Sequence, residues 1–461
     1  MRAGAHGHTL QHVQGMLAEE SGIASGRFNG MELESVFLPI LSLPHKRVMG
    51  FDAHLHCTDD RGGTAAATES MFVPARDYAE SSLLDLLGAT IQVHNFFSGG
   101  AAPGLLFLNP GPEVLLDVDS TAAFFTELFQ HYQVPRQRVV LDVPASLAGD
   151  EGFEQALAQY RKLGCLVSID DVTVEDFDAA RVCNSGAMMA RVQRSVVGEA
   201  TADENTSEML AHFVSLLHEA GLLVLIDGVE ARMEALIAIE ADADFACGQY
   251  FGSVNRHPAQ YIEPHASLAD MWDAYRLGHT AASHNHPASR SLATGSLPHA
   301  PGTRNSQRPS SAEINVYRQA RRPFITAIQH VASLLKAGHR FDAACDEFLA
   351  LPGAIGCYLL DAHGQELGDG VDARRRPSPQ SIDFNATMHS DETNWSRREY
   401  FRRALDEPEI VQVTRQYPSL CGYTHCVTFS IATTMPGEEA LERTVVVCGD
   451  VDWSAYRRAD S

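Results

Sequence analysis

Lysine is nearly absent from this 461-residue chain: Lys46, Lys162 and Lys336 are its only lysines, and Lys plus Arg total 35 against 59 Asp plus Glu. The resulting net charge of −24 repels nucleic acid and anionic membrane, so neither is an expected partner. Long apolar runs are missing too. None approaches the ~20 residues that span a bilayer, and no N-terminal segment reads as a signal peptide, so a soluble, cytoplasmic protein is expected. The nine cysteines include no C-x-x-C pair, with Cys421 and Cys426 the closest two, which speaks against zinc or redox motifs and for free thiols in a reducing compartment. With 45% hydrophobic and 20% charged residues the chain is not a disordered one, and its length fits two to four domains.

What is present is a series of short apolar runs, each ending on an acid or an amide. They are Gly50-Phe51-Asp52, Leu105 to Asn109, Val139 to Asp142, Leu166 to Asp171, and Leu222 to Asp227. A run of about five apolar residues is a buried parallel strand, and the polar residue just past it sits where barrel enzymes place their chemistry. Five carboxylates and one amide should then face one cavity. Taken singly, each of these acids could instead cap the following helix.

Residues 1 to 30 are rich in Gly, His and Ser and read as a leader of low structural content, within which Gln11 to Glu20 could form a short helix. From 31 to 266, strand runs alternate with helical patterns such as Ser81 to Phe97, Ser120 to Tyr132, Phe153 to Leu163, Ser207 to Ala220 and Ala231 to Glu240. That alternation points to an α/β fold and favours a (β/α) barrel over an open sheet, though periodicity alone does not close it into a (β/α)8 TIM-like barrel. Residues 267 to 312 form a Ser-, Pro- and His-rich linker, in which Ser283-His284-Asn285-His286-Pro287 has nothing to fix ligand geometry. A long connecting helix follows over 313 to 340, its apolar stripe suited to dimerisation, to signalling or to packing on its own domain. Residues 341 to 461 read as a small α+β module with a mainly antiparallel sheet.

The segments Phe37-Leu38-Pro39-Ile40, Gly50 to His56, Phe107-Leu108-Asn109, Val140 to Val143, Ile169-Asp170-Asp171, Arg191 to Ser195, Ile226 to Glu230 and Gly248 to Gly252 resemble, in order, the motifs of EAL domains, the cyclic di-GMP phosphodiesterase family. The resemblance covers about half the chain. It implies a two-metal site using Mg or Mn when active, with Asp52, Asn109, Asp142, Asp170 and Asp171 at metal positions and Arg191, Asp227 and Glu230 at catalytic ones. His56 and Cys247 fall at nucleotide-contacting positions. Departures from the family are many. Asp stands for the family Glu at 52, 142 and 227, which withdraws each carboxylate by about one C–C bond, roughly 1.5 Å. Arg191 stands for a lysine, His56 for an arginine and Cys247 for a glutamine, and Val172-Thr173-Val174-Glu175 replaces a Gly-containing loop.

The C-terminal segments Trp395 to Phe401, Tyr417-Pro418-Ser419, Val427 to Ser430 and Val445 to Asp452 resemble a PAS-like or Cache-type sensory domain. That resemblance implies a small-ligand pocket from Trp395, Arg397, Arg398, Tyr400, Tyr417 and Asp450, whose Arg forks and aromatic faces suit a carboxylate or amine. The combined expectation is a cyclic di-GMP signalling protein whose degenerate EAL domain is catalytically inactive. That domain would serve as a regulatory, nucleotide-binding or protein-interaction module coupled to the sensor, in a homodimer with a protein partner still to be found. The alternatives are an active Mg- or Mn-dependent phosphodiesterase and a ligand-responsive scaffold that binds no nucleotide.

Overall fold

Eight of the strands close into a barrel because alternate residues along each are apolar and point to a common axis. The computed structural model describes residues 8–59, 78–98, 102, 104–149, 152–174, 185–201, 204–261, 271–272, 275, 311–368, 370–373, 393–414, 416–418, 425–437 and 442–454. The chain divides into two units, one comprising Met1–Leu268, Ser381–Met388 and Arg415–His425, the other Ala269–Gln380, His389–Thr414 and Cys426–Ser461.

In the first unit the strands are β1 (Leu17–Glu20), β2 (Ile23–Phe28), β3 (Met31–Ser42), β4 (Arg47–Asp59), β5 (Leu105–Leu108), β6 (Val139–Pro144), β7 (Leu166–Val172), β8 (Met189–Val192), β9 (Leu223–Ile226) and β10 (Phe245–Cys247). β3 to β10 form the closed barrel, in the order β3-β10-β9-β8-β7-β6-β5-β4 with β4 returning to β3. β3 runs antiparallel to both of its neighbours, β4 and β10, while the other barrel contacts are parallel. Ile40, Phe107, Val140, Leu166, Met189, Leu225 and Phe245 fill the interior. The helices Tyr78–Phe97, Val118–His131, Phe153–Lys162, Glu204–Glu219 and Arg232–Glu240 lie within a few residues of the predicted ones.

The reading of residues 1 to 30 as a leader is corrected where the structure describes it. A short helix, Leu10–Gln14, precedes β1 and β2, and β2 continues the sheet onto β3. Two-residue turns join these strands. Ser21 and Gly22 take φ of 54° and 81°, Asn29 and Gly30 take 50° and 80°, and positive φ at both central residues is what a tight hairpin turn demands. The linker, including His284 and His286, lies outside the described residues apart from 271, 272, 275 and the start of the following helix.

In the second unit an antiparallel sheet runs in the order β12 (Val371–Asp372), β11 (Ala354–Asp361), β16 (Glu442–Asp452), β15 (His425–Pro436), β13 (Gln412–Val413). One face takes the helix Ser311–Lys336, whose Phe324, Ile328, Val331 and Leu335 are buried with Phe348, Phe429, Val447 and Trp453. The other face takes the helix Glu399–Asp406 through Tyr400, Phe401 and Ala404, packed with Tyr358, Leu360, Val446 and Cys448. The apolar stripe of the long helix is therefore spent within its own unit. Pro323 sits inside that helix, where a proline lacks the N–H for one ladder bond. Tyr417, in the two-residue strand β14 (Tyr417–Pro418), falls in the first unit.

Candidate functional site

The period of two carries each interior row to a polar end at the C-terminal rim of its strand. Phe107 leads to Asn109, Val140 to Asp142, Leu166 and Ser168 to Asp170, Met189 to Arg191, and Leu225 to Asp227, while Asp52 and His54 share the inward parity of β4. Strand-end acids and the barrel mouth thus coincide, as the sequence predicts.

At the centre of that mouth lies Arg191, whose side chain is only 5% exposed. Its Nη2 donates to Asp52 Oδ2 and lies 3.1 Å from Asp227 Oδ1, Nη1 donates to Asp142 Oδ2 at 3.0 Å, and Nε stands 3.6 Å from Asp170 Oδ1. One guanidinium therefore touches four carboxylates from four strands or their ends. Asn109 donates its side-chain amide to Asp52 Oδ1 at 2.8 Å. His54 adds a contact of 3.1 Å from Nε2 to Asp52 Oδ2.

Burial and like charge set the protonation of this cluster. Desolvation pushes Asp142 up to about 8 and Asp170 up to about 6, in each case against the pull of Arg191 and with help from neighbouring aspartates. Burial opposes ionisation of Asp52 as well, but Arg191 and His54 together outweigh it and hold that carboxyl far below the usual range. Asp52 in turn raises His54 above its ordinary value. Arg191 is raised by the surrounding acids despite its burial, so it stays charged.

Other predicted residues fall beside the cluster rather than in it. Asp171 is exposed, with φ of 56° at a register shift in β7, and its backbone N–H donates to Asp170 Oδ1 at 2.8 Å. Glu230 pairs with Arg194 on the rim. His56 stands 3.8 Å from Glu34, which also pairs with Arg256. Cys247 is fully buried beneath the cluster, its thiol pushed up by burial and then by Asp227 and Asp52.

Residues 24–253 match the family model described as EAL domain. This segment is an EAL domain. Solved structures similar to the chain include the PaMucR phosphodiesterase in its c-di-GMP complex, at 15% identity over 50% of this chain and 92% of that one, with a TM-score of 0.43. The Bacillus subtilis YkuI protein, solved with an EAL domain in complex with substrate c-di-GMP and calcium, is 16% identical over 92% of this chain and 96% of that one, with a TM-score of 0.47. The FimX EAL domain from Pseudomonas aeruginosa bound to c-di-GMP is 15% identical over 49% and 92%, with a TM-score of 0.43. No curated protein matches the chain.

A pair of divalent cations does not fit this EAL mouth as it stands. The guanidinium occupies the space its carboxylates enclose, and among the described residues no group of three or more His, Cys, Asp or Glu is arranged to hold a metal ion. Sequence reasoning treated Arg191 as a misfit for a lysine and missed that it bridges the acids. It also missed His54, which the parity of β4 places on the face of Asp52. Among the described residues no helix is long and apolar enough to cross a membrane.

In the second unit, the residues expected to line a sensory pocket divide. Arg398 lies 5.9 Å from the Trp395 ring centroid, and Trp395 Nε1 donates to the buried Glu366 at 3.5 Å. Tyr400 shares a hydroxyl contact of 3.0 Å with Tyr358, and Asp450 accepts from Thr428 at 2.6 Å. Arg397 stands 5.7 Å over the Tyr275 ring. Tyr417 lies in the short strand β14, which pairs with β15.

Proposed function

We propose that the barrel is a degenerate EAL module that binds cyclic di-GMP without hydrolysing it, and that the C-terminal unit is a PAS- or Cache-like sensor of a small ligand. The observation that carries this reading is the Arg191 guanidinium set among Asp52, Asp142, Asp170 and Asp227. A phosphodiester is cut in such a site when two cations activate water and hold both the attacking and leaving oxygens. Arg191 supplies a single, non-Lewis-acidic charge whose Nη1 and Nη2 are already committed to carboxylates, and it never loses its proton to become a base. The shortened carboxylates match this arrangement, since they leave room for a planar head group.

Binding is supported by what stays at the rim. Arg194 and Arg256 are each half-exposed and paired with one acid, and His54 is also exposed, so cationic groups stand where phosphates would approach. The test uses the full chain. With Mg²⁺ or Mn²⁺ present, cyclic di-GMP should remain intact, while calorimetry at micromolar protein should show saturable heat. Turnover that disappears in Asn109→Ala would overturn the non-hydrolytic reading, and the absence of any heat would leave a scaffold without a nucleotide role.

A further inference from the structure

We propose that Glu34 is a resident carboxylate lodged in an anion subsite at the rim of the barrel, and that a phosphodiester binds there only by displacing it from Arg256. This rests on the nucleotide-binding reading of the mouth and names a residue that sets its affinity.

Three segments meet at this point. β3 and β4 run side by side with Leu38 opposite Asp52, Val36 opposite His54 and Glu34 opposite His56. Side chains alternate along a strand, so Glu34 and Val36 share the face that Leu38 and Ile40 turn into the barrel interior. At about 3.3 Å per residue, Glu34 and His56 stand roughly 7 Å beyond the pair of Val36 and His54, past the Arg191 cluster rather than in it. The third segment follows β10. Phe37 and Asn255 exchange backbone hydrogen bonds of 2.8 and 2.9 Å, which fixes the chain next to Arg256 against β3.

Two nitrogens turn to one oxygen here. Arg256 Nη2 pairs with Glu34 Oε2, and His56 Nδ1 stands 3.8 Å from that same atom. At such a distance no hydrogen bond forms, and Nδ1 is buried with no other hydrogen-bond partner. The ring therefore faces an acceptor that it does not reach. A phosphodiester carries its two free oxygens on a larger centre, and can take the Arg256 fork with one while the ring, in the tautomer protonated at Nδ1, donates to the other.

Exposure makes the exchange feasible. The Glu34 side chain is 25% exposed and that of Arg256 53%, so water and ligand reach the pair. An ion pair this open is weak, and an incoming anion can replace it. Its attachment to β3 nevertheless makes the carboxylate a competitor that dilution does not remove, and its charge repels an approaching phosphate.

The experiment compares cyclic di-GMP affinity of the full chain by calorimetry in EDTA, for wild type, Glu34→Gln, Arg256→Gln and the double variant. Glu34→Gln keeps the shape and removes the charge, and should bind about three- to tenfold more tightly than wild type. Arg256→Gln should bind more weakly, and in its background Glu34→Gln should gain less than about twofold. Glu34→Ala provides a second neutral variant and should repeat the gain. Unchanged or weaker binding by folded Glu34→Gln and Glu34→Ala would overturn the proposal. So would an equal gain with and without Arg256, which would make Glu34 a remote charge instead of an occupant. Inorganic pyrophosphate is titrated in parallel, to separate this subsite from the functional reading. If no variant takes cyclic di-GMP, that reading falls, while tighter pyrophosphate binding by Glu34→Gln that Arg256→Gln abolishes upholds the subsite. Absence of both gains overturns the subsite as well.

Discussion

Arg191 Nη1 donates to Asp142 Oδ2 at 3.0 Å, while the second oxygen of the same carboxyl is buried without a hydrogen-bond partner. Burial of that carboxyl, with Asp170 and Asp52 beside it, outweighs the guanidinium and pushes its pKa up to about 8.

The sign of the pH effect follows. A carboxyl raised in the folded state binds its proton more tightly there than in the unfolded chain, so the stability it contributes is full below its ordinary value near 3.8 and is lost as pH rises towards about 8. Asp142→Asn cannot ionise. Its advantage over wild type should widen from pH 5 to pH 8, by up to about 1.4 kcal/mol per pH unit, in urea denaturation at fixed ionic strength. A gap that stays constant or reverses would show Asp142 ionised in the folded state.

Asp52 carries the opposite sign, with burial opposing ionisation and Arg191 and His54 together overcoming it. Its contribution is present above its ordinary value and is lost as the pH falls below about 4. Asp52→Asn should therefore cost about 3–5 kcal/mol at pH 7, because it strips a paired charge from a buried guanidinium, and about 1 kcal/mol less at pH 3, since the folded carboxyl stays ionised well below that pH. Equal losses at both pH values would assign Asp52 a packing role instead.

Much of this site is legible in the sequence, and the reason is parity. Once Leu105 to Asn109 or Leu222 to Asp227 is read as a strand of period two, the polar residue at its end has to face the axis that the apolar residues face. The long helix is legible from the spacing of Phe324, Ile328, Val331 and Leu335, although the pattern alone does not say against what they pack. Two kinds of information were not recovered. Asn29-Gly30 and Ser21-Gly22 are hairpin-turn signals, but β1 and β2 beside them are too short and polar for the hydrophobic pattern to reveal. The position of the Arg191 head group depends on several side-chain torsions, and no local pattern reports where those torsions place a charge.

Gly449 lies in β16 opposite Cys357 and Phe429, and a Cβ added there would sit 2.4 Å from Cζ of the fully buried Phe348. Gly449→Ala should cost about 1–3 kcal/mol through overpacking. Combining it with Phe348→Leu should cost less than the sum of the two single changes, as read from urea midpoints. Strict additivity would mean that the ring already moves aside freely.

Tyr358 and Tyr400 join the second unit's sheet to the helix Glu399–Asp406 through their hydroxyls, at 3.0 Å within the buried core. Tyr400→Phe should cost about 1–3 kcal/mol, since the Tyr358 hydroxyl keeps its burial and loses this partner. The double change to Phe should cost less than the two singles together, with a coupling of about 0.5–1.5 kcal/mol in a double-mutant cycle. A coupling near zero would mean that the two hydroxyls act independently.

Leu335 is fully buried near the end of the long helix, in the cluster that contains Phe324, Val331 and Trp453. Its burial is complete within a single chain, so Leu335→Ala should lower unfolding free energy by about 2–5 kcal/mol, and by the same amount at every protein concentration. Concentration matters because a stripe that served mainly as a subunit interface would lose stability through mass action, with the deficit growing on dilution. Denaturation of the variant over a hundredfold range of chain concentration separates these cases. A midpoint shift that depends on dilution would place the stripe between subunits, against the packing seen within the unit.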